Sequence, residues 1–142
     1  MKRVISILGG AKAIGLKPSS PRDWIYIVRK GFPTATLISF ASRTGMRNVK
    51  LAEILGVSVR VLASRRSNKT SLTSYESERL LRAATVIAQA HDVFGNFAKG
   101  LTWLQVSKTS FGGATPMSLM DTEPGTELVL DLLDRIDHGF CA

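Results

Sequence analysis

Apolar residues recur at helical spacing along most of this chain, whereas the strict alternation that is typical of strands is hard to find. The first clear helix is predicted to begin with a cap at Ser20 and to end at Gly31, with Trp24 and Ile27 on its apolar stripe. Further helices are predicted over residues 33–45, 73–95, 97–104 and 122–139. The pattern therefore predicts an all-α fold.

Residues 48–66 contain two short helical patterns separated by a turn, a spacing that is typical of a helix-turn-helix. Such a motif needs a small residue where its helices cross, which Ala52 supplies, and a residue that tolerates positive φ in the turn, which Gly56 supplies. Leu62 is expected to pack back against Leu51 and hold the two helices together. A plain helical hairpin shares these features, so the motif alone leaves that alternative open.

The second helix of this motif carries the residues from which DNA contacts are predicted. Ser58 is expected to cap this helix, so that its exposed N-terminal face can enter a major groove. The residues expected to face base edges are Val59, Arg60, Ala63 and Ser64, and those expected to meet phosphates are Arg65, Arg66 and Lys69. The same motif could instead serve mainly as a dimerisation surface.

The charge of this chain of 142 residues, +8 overall, is divided unevenly between its halves. Residues 1–70 carry 14 Lys and Arg against two acidic residues, a net charge of +12, while residues 71–142 carry a net charge of −4. A charge run is often only a solvated face, but a basic block of this size favours nucleic acid as a partner. The change of sign also predicts two domains, residues 1–70 and 71–142.

The remaining composition favours a cytoplasmic protein. Cys141 is the single cysteine, so no intrachain disulfide can form. The apolar stretch at residues 4–8 imitates a signal peptide, but it is short, two glycines follow it, and Lys12 stands where a cleavage site is uncharged. No stretch approaches the roughly 20 apolar residues that a membrane span needs.

The polar residues of the chain form no catalytic or metal-binding pattern. His91 lies on the apolar stripe of a predicted helix, where a packed histidine is more common than a metal ligand. His138 and Cys141 have a spacing that suits a metal pair, but a structural zinc site needs four ligands. The glycine-containing loop at residues 112–116 lacks the lysine of a phosphate-binding loop. We therefore predict no enzyme, no metal and no cofactor.

Several runs of residues resemble one known family, and together they cover nearly the whole chain. The runs GGATPMSLMDTE at 112–123 and RIDHG at 135–139 resemble the toxin-binding domain of Xre/MbcA/ParS-type antitoxins, as does ESERL at 76–80. Residues 31–33, together with 51–66, resemble the Xre-like helix-turn-helix half of the same proteins. The resemblance implies an N-terminal helix-turn-helix bundle followed by a small helical toxin-binding domain.

The resemblance also implies a function. Members pair with a toxin of the RES-domain class, which acts on NAD as a degrading enzyme or an ADP-ribosyltransferase, and the antitoxin is not catalytic. By position, the residues implied to contact the toxin are Arg135, Ile136, His138, Gly139, Phe140, Cys141 and Ala142. This chain departs from the family pattern at residues 107–111, where an Asn-Pro turn is usual, and at residues 99–100.

Two main hypotheses follow for the whole chain. In the first, the protein is an antitoxin that occludes the NAD site of its toxin and represses its own operon, as a homodimer within a larger complex with the toxin. In the second, it is a stand-alone helix-turn-helix regulator with a helical sensing or dimerisation domain, which leaves residues 139–142 unexplained. A catalytic function is the least favoured hypothesis, because two histidines and scattered carboxylates do not form a recognisable set of catalytic residues.

Overall fold

The computed structural model describes residues 1–139 and is built from α-helices, with no strand in that range. The helices are α1 (Lys2–Ile7), α2 (Gly10–Ile14), α3 (Pro21–Lys30), α4 (Thr34–Thr44), α5 (Asn48–Leu55), α6 (Val59–Asn68), α7 (Ser74–Phe94), α8 (Phe97–Leu104) and α9 (Glu123–Asp137). Two short 3₁₀ turns, Thr109–Phe111 and Met117–Leu119, lie between α8 and α9. The predicted all-α fold is confirmed.

The predicted helix caps are present in the structure. Ser20 accepts a hydrogen bond from the amide of Asp23, and Thr122 accepts one from the amide of Gly125. At the start of α7, the amide of Glu76 donates to the Thr73 hydroxyl (3.1 Å), while a Glu76 carboxylate oxygen accepts from the Thr73 amide (2.8 Å). This reciprocal pair is the capping box that the sequence predicted.

The chain forms two compact units, Met1–Ala84 and the residues from Thr85 onward, called here the N-terminal and C-terminal units. The division falls inside α7, whereas the change of charge placed a boundary at residue 70. The first turns of α7 belong to the N-terminal unit because Ser77 accepts a hydrogen bond from the Phe32 amide and Arg79 binds the end of α5. Whether residues 1–70 fold as a domain on their own stays a prediction.

The N-terminal unit has its core among α1 to α7, and the chain's first residues contribute to it. Its largest fully buried side chains are Ile7, Leu8, Phe32, Leu37, Phe40, Leu51, Leu55, Leu62 and Leu80. No helix is predicted from the sequence before residue 20, but α1 and α2 both contact α4, and the Ser39 hydroxyl donates to the carbonyl of Ile7 at 3.2 Å. The apolar stretch at residues 4–8 is therefore part of this core.

The C-terminal unit packs the second half of α7, α8 and α9 around its own core. Its fully buried side chains include Val86, Ile87, Ala90, Leu104, Val129 and Leu133. Close backbone approach needs a glycine at Gly125, where an added Cβ would stand 1.9 Å from the carbonyl oxygen of Leu119. This contact sets the start of α9 against the preceding 3₁₀ turn.

Candidate functional site

Helices α5 and α6 form the helix-turn-helix that the sequence predicted. Ala52 is buried in α5, and the amide of Val57 donates to its carbonyl at 3.0 Å. Gly56 ends α5 with a φ of +70°, a left-handed conformation that favours glycine. Leu51 and Leu62 are both fully buried. The small residue, the turn glycine and the apolar contacts therefore have the placement that the motif requires.

The N-terminal end of α6 is open to solvent. Ser58 has an extended backbone, and its hydroxyl accepts a hydrogen bond from the Val61 amide at 3.1 Å, so the predicted cap is confirmed. The residues predicted to contact DNA that are exposed to solvent are Ser58, Val59, Arg60, Ala63, Ser64 and Lys69. Because Arg60, Ala63 and Ser64 are three and four residues apart, they share one face of the helix.

The structure places Arg65 and Arg66 differently from these exposed residues. Both are partly buried, and each binds another side chain of the N-terminal unit. The Arg65 guanidinium donates to both carboxylate oxygens of Glu76, with Nε to Oε1 at 3.1 Å and Nη2 to Oε2 at 3.3 Å. Arg66 donates from Nη1 to the side-chain oxygen of Asn48 at 2.7 Å. The cations predicted to bind phosphates therefore fall into two groups, because Lys69 is exposed whereas Arg65 and Arg66 bind other side chains.

The Arg65 partner, Glu76, is itself nearly enclosed, with 3% of its side chain exposed. Burial alone would raise the pKa of its carboxyl group, but hydrogen bonds from Arg65 and from the Thr73 amide outweigh this and hold the pKa below its ordinary value. Glu76 is therefore charged at neutral pH and rigidly held, with hydrogen-bond donors from α6 and from its own capping box.

Sequence analysis missed the role of Arg79, which joins α7 to the end of α5. Its guanidinium donates from Nε to the carbonyl of Ile54 (2.8 Å), from Nη2 to the carbonyl of Glu53 (3.3 Å) and from Nη1 to the hydroxyl of Tyr75 (3.2 Å). A cation at a helix C-terminus satisfies free carbonyls and the helix dipole. The sequence held one sign of this role, namely that Arg79 is next to Leu80, a residue on the apolar stripe of the predicted helix.

Helix α9 presents a second candidate surface, in the C-terminal unit. Its inner side buries Val129, Leu132 and Leu133, and its outer side exposes the acidic residues Glu123, Glu127, Asp131, Asp134 and Asp137. Leu128 is also 54% exposed. It lines a groove of about 360 Å³ together with Ser110, Phe111, Leu119, Asp131, Leu132 and Arg135. An acidic face beside an apolar groove suits a protein partner with basic and apolar side chains.

The predicted toxin-contacting residues lie at the end of α9 or beyond it. Arg135, His138 and Gly139 are exposed and Ile136 is partly buried, while Phe140, Cys141 and Ala142 lie outside the described residues. His138 Nδ1 is 2.7 Å from the carbonyl oxygen of Asp134 and 3.5 Å from its carboxylate. The carbonyl, then the carboxylate, and more weakly Asp137, raise the pKa of His138.

In residues 1–139, every helix is too short or too polar to cross a membrane. The exposed surfaces described above are a cationic one on α6 and an acidic one on α9.

Two family models match consecutive parts of the chain. The antitoxin Xre-like helix-turn-helix domain matches residues 23–84, which include most of α3, all of α4 to α6 and the first turns of α7. The antitoxin Xre/MbcA/ParS C-terminal toxin-binding domain matches residues 89–139, which include α8 and α9. The first match contains the cationic surface and the second contains the acidic one.

Similar curated proteins are antitoxins. The chain is 34% identical over 113 residues to Antitoxin Xre of Pseudomonas putida, which covers 80% of this chain and 70% of that protein. It is 30% identical over 129 residues to Antitoxin Xre of Yersinia enterocolitica, covering 90% and 87%. It is also 24% identical over 130 residues to the Prs ADP-ribosylating antitoxin of a Sphingobium species, covering 85% and 82%.

Proposed function

The chain belongs to the Xre-type antitoxins, and from that premise we propose that it neutralises a RES-domain toxin with the end of α9 and represses its own operon with α6. In this proposal the C-terminal surface occludes the toxin's NAD site, and the protein acts in the cytoplasm by binding alone, without catalysis. The proposal depends mainly on the match of residues 89–139 to a toxin-binding domain, because the matched residues include α9 with its exposed acidic face.

The surface chemistry supports toxin binding at this place. An acidic helix face can complement a site that binds the phosphates of NAD. The name of the Sphingobium relative, an ADP-ribosylating antitoxin, is compatible with a partner that uses NAD. The proposed contacts remain Arg135, Ile136, His138, Gly139, Phe140, Cys141 and Ala142.

The exposed face of α6 supports DNA binding. Arg60, Ala63 and Ser64 lie together where a recognition helix presents side chains to base edges, and Lys69 stands beyond them as a phosphate contact. Two such helices in a homodimer would read a palindromic operator, and we propose that the protein is a dimer for this reason. A dimer should appear as twice the mass of 15.4 kDa in light scattering after gel filtration.

Truncation after Asp137 tests the toxin-binding half of the proposal. The shortened antitoxin is co-expressed with the toxin encoded beside it, and cell growth and NAD content are measured. We expect toxicity to return while DNA binding persists. The Ser42→Ala variant, at an exposed position of α4 outside both proposed binding surfaces, serves as the control and should still neutralise. Full neutralisation by the truncated chain would refute a role of residues 138–142 in occlusion, and DNA binding without any toxin binding would favour a stand-alone regulator.

A further inference from the structure

Helix α6 carries the proposed DNA-binding surface, yet little apolar packing holds it in place. Of its residues, all of which the structure describes, Leu62 alone is buried. A helix anchored by one side chain can roll about its own axis, and a roll of about 100° moves each side chain to the place of its neighbour. The direction in which Arg60 and Ser64 point therefore depends on other contacts.

Arg65 and Arg66 supply these contacts. They lie three and four residues after Leu62, so they share its side of the helix, away from Arg60 and Ser64. Arg65 binds α7 through Glu76, and Arg66 binds α5 through Asn48. The two arginines thus tie the buried side of α6 to the elements on both sides of it.

We propose that Arg65 and Arg66 are positioning residues that set the rotation of α6 by binding Glu76 and Asn48, and that they do not contact DNA phosphates. The charge of both arginines, taken alone, predicts phosphate contacts, whereas their partners in the folded chain favour a positioning role. The inference rests on the proposed DNA binding by α6. It divides the cations of this helix and its C-cap into Arg60 and Lys69, which face DNA, and Arg65 and Arg66, which face the protein.

The geometry of the Arg65 pair opposes a second role at DNA. Two parallel hydrogen bonds between a guanidinium and a carboxylate are stronger than neutral ones and fix the relative orientation of both groups. If Arg65 left this pair for a phosphate, the nearly enclosed Glu76 carboxylate would lose its cation, which is costly. Arg65 therefore remains with Glu76 when DNA binds.

The test measures binding of the full chain to two duplexes by fluorescence anisotropy at several salt concentrations. One duplex carries the promoter region that precedes the chain's own reading frame, and the other is a scrambled sequence of equal length. The salt dependence reports how many phosphates the protein neutralises, since its slope falls by about one for each phosphate that is no longer bound. The ratio of the two affinities reports specificity. A wild-type chain without preference would refute the proposed operon binding itself, separately from the inference.

Two pairs of variants separate positioning from phosphate binding. Arg65→Ala and Glu76→Gln should both lower the specificity ratio about tenfold or more and leave the salt slope unchanged. Arg66→Ala and Asn48→Ala should behave in the same way. Glu76→Gln and Asn48→Ala keep every cation, and glutamine can preserve the capping box. Lower specificity in these two variants therefore cannot come from the removal of a phosphate-binding cation.

Lys69→Asn is the matched control for a true phosphate-binding residue. Asparagine tolerates the left-handed backbone of Lys69, whose φ is +52°, so the change removes charge with little strain. This variant should lower the salt slope by about one and leave the specificity ratio unchanged. The same result for Arg65→Ala, or tighter binding to both duplexes by Glu76→Gln, would overturn the inference.

Arg65→Lys covers the case in which the alanine variant fails to fold. Lysine keeps the charge and most of the side chain, so it can still meet a phosphate, but it cannot supply the two-nitrogen fork that Glu76 binds. Positioning predicts that Arg65→Lys, with wild-type helix content by circular dichroism, loses specificity. Wild-type specificity in a folded Arg65→Lys protein would contradict the inference.

Discussion

Helices α6 and α9 carry the two proposed binding surfaces, and different forces hold them in place. Helix α9 buries residues along its inner side, namely Gly125, Thr126, Val129, Leu132 and Leu133, whereas α6 buries Leu62 alone. Their outer faces also differ in sign, because α9 exposes carboxylates and α6 exposes Arg60. The acidic surface therefore rests on several buried side chains, whereas the cationic surface rests on one buried side chain, Leu62, together with polar contacts.

This difference matters because the two kinds of contact constrain a helix differently. Apolar burial is strong but does not depend on direction, so several buried side chains are needed to fix a helix. A charge-assisted pair such as Arg65 with Glu76 is directional, so one or two can define an orientation. We expect α9 to tolerate the removal of any one polar partner better than α6 does.

The largest expected effects come from removing one buried leucine from each helix. Leu62→Ala and Leu133→Ala should each lower the free energy of unfolding by about 3 kcal/mol, through reduced burial and the cavity left behind. Only Leu62→Ala should also abolish DNA binding, because Leu62 is the sole buried side chain of α6. Urea unfolding and anisotropy titrations measure both effects. Equal reductions of DNA affinity in the two folded variants would contradict the claim that Leu62 is specifically needed to hold α6 in place.

A glycine that anchors the start of α7 gives the next largest effect. An added Cβ at Gly31, whose φ is +96°, would stand 2.1 Å from the carbonyl oxygen of Leu72. Gly31→Ala should lower the free energy of unfolding by about 3 kcal/mol, from backbone strain and displacement together. Gly45→Ala is the matched control, since Gly45 has a φ of +71° and open space around it, and it should cost only about 1 kcal/mol. Equal losses in the free energy of unfolding for the two variants would show that Leu72 can move away from the added Cβ without further destabilisation.

The pH dependence of the free energy of unfolding tests whether the charge of Glu76 stabilises the N-terminal unit. Because folding lowers the pKa of Glu76, its contribution to stability is present above the ordinary pKa and is lost as the pH falls through the folded value. The free energy of unfolding of wild type should therefore exceed that of Glu76→Gln most at neutral pH, and the difference should shrink in acid. A constant difference across urea titrations at each pH would exclude the charged pair as its cause.

The smallest effect concerns His138, at the exposed end of α9. Its folded pKa is raised, first by the Asp134 carbonyl and then by the Asp134 carboxylate, so its stabilising contribution is present below the ordinary pKa and is lost as the pH rises through the raised value. NMR titration of the imidazole ring should give a pKa above the ordinary histidine value, and Asp134→Asn should lower it in part. An unchanged titration in Asp134→Asn would show that the carboxylate has no influence there.

Much of the fold was accessible from the sequence because helix signals are local. Ser20, the Thr73 and Glu76 capping box, and Thr122 each act within one turn of their own helix, and all three predictions were confirmed. Residues 1–14 were the exception. Val4, Ile7, Leu8 and Ile14 have helical spacing, but Gly9 and Gly10 interrupt it, and the burial of these side chains depends on contact with α4, which is distant in the sequence.

Local patterns in the sequence were enough to predict helices α3 to α9, the helix-turn-helix with its turn at Gly56, and the separation of charge between the two halves of the chain. Which of the cations of α6 have partners within the protein depends on contacts that form only in the folded chain. Arg60, Arg65 and Arg66 are alike in the sequence, but the path of α5 and α7 places Asn48 and Glu76 beside the latter two and leaves Arg60 exposed. The physical reason is that helix formation depends on neighbours within one turn, whereas the partner of a charged side chain depends on elements that only folding brings together.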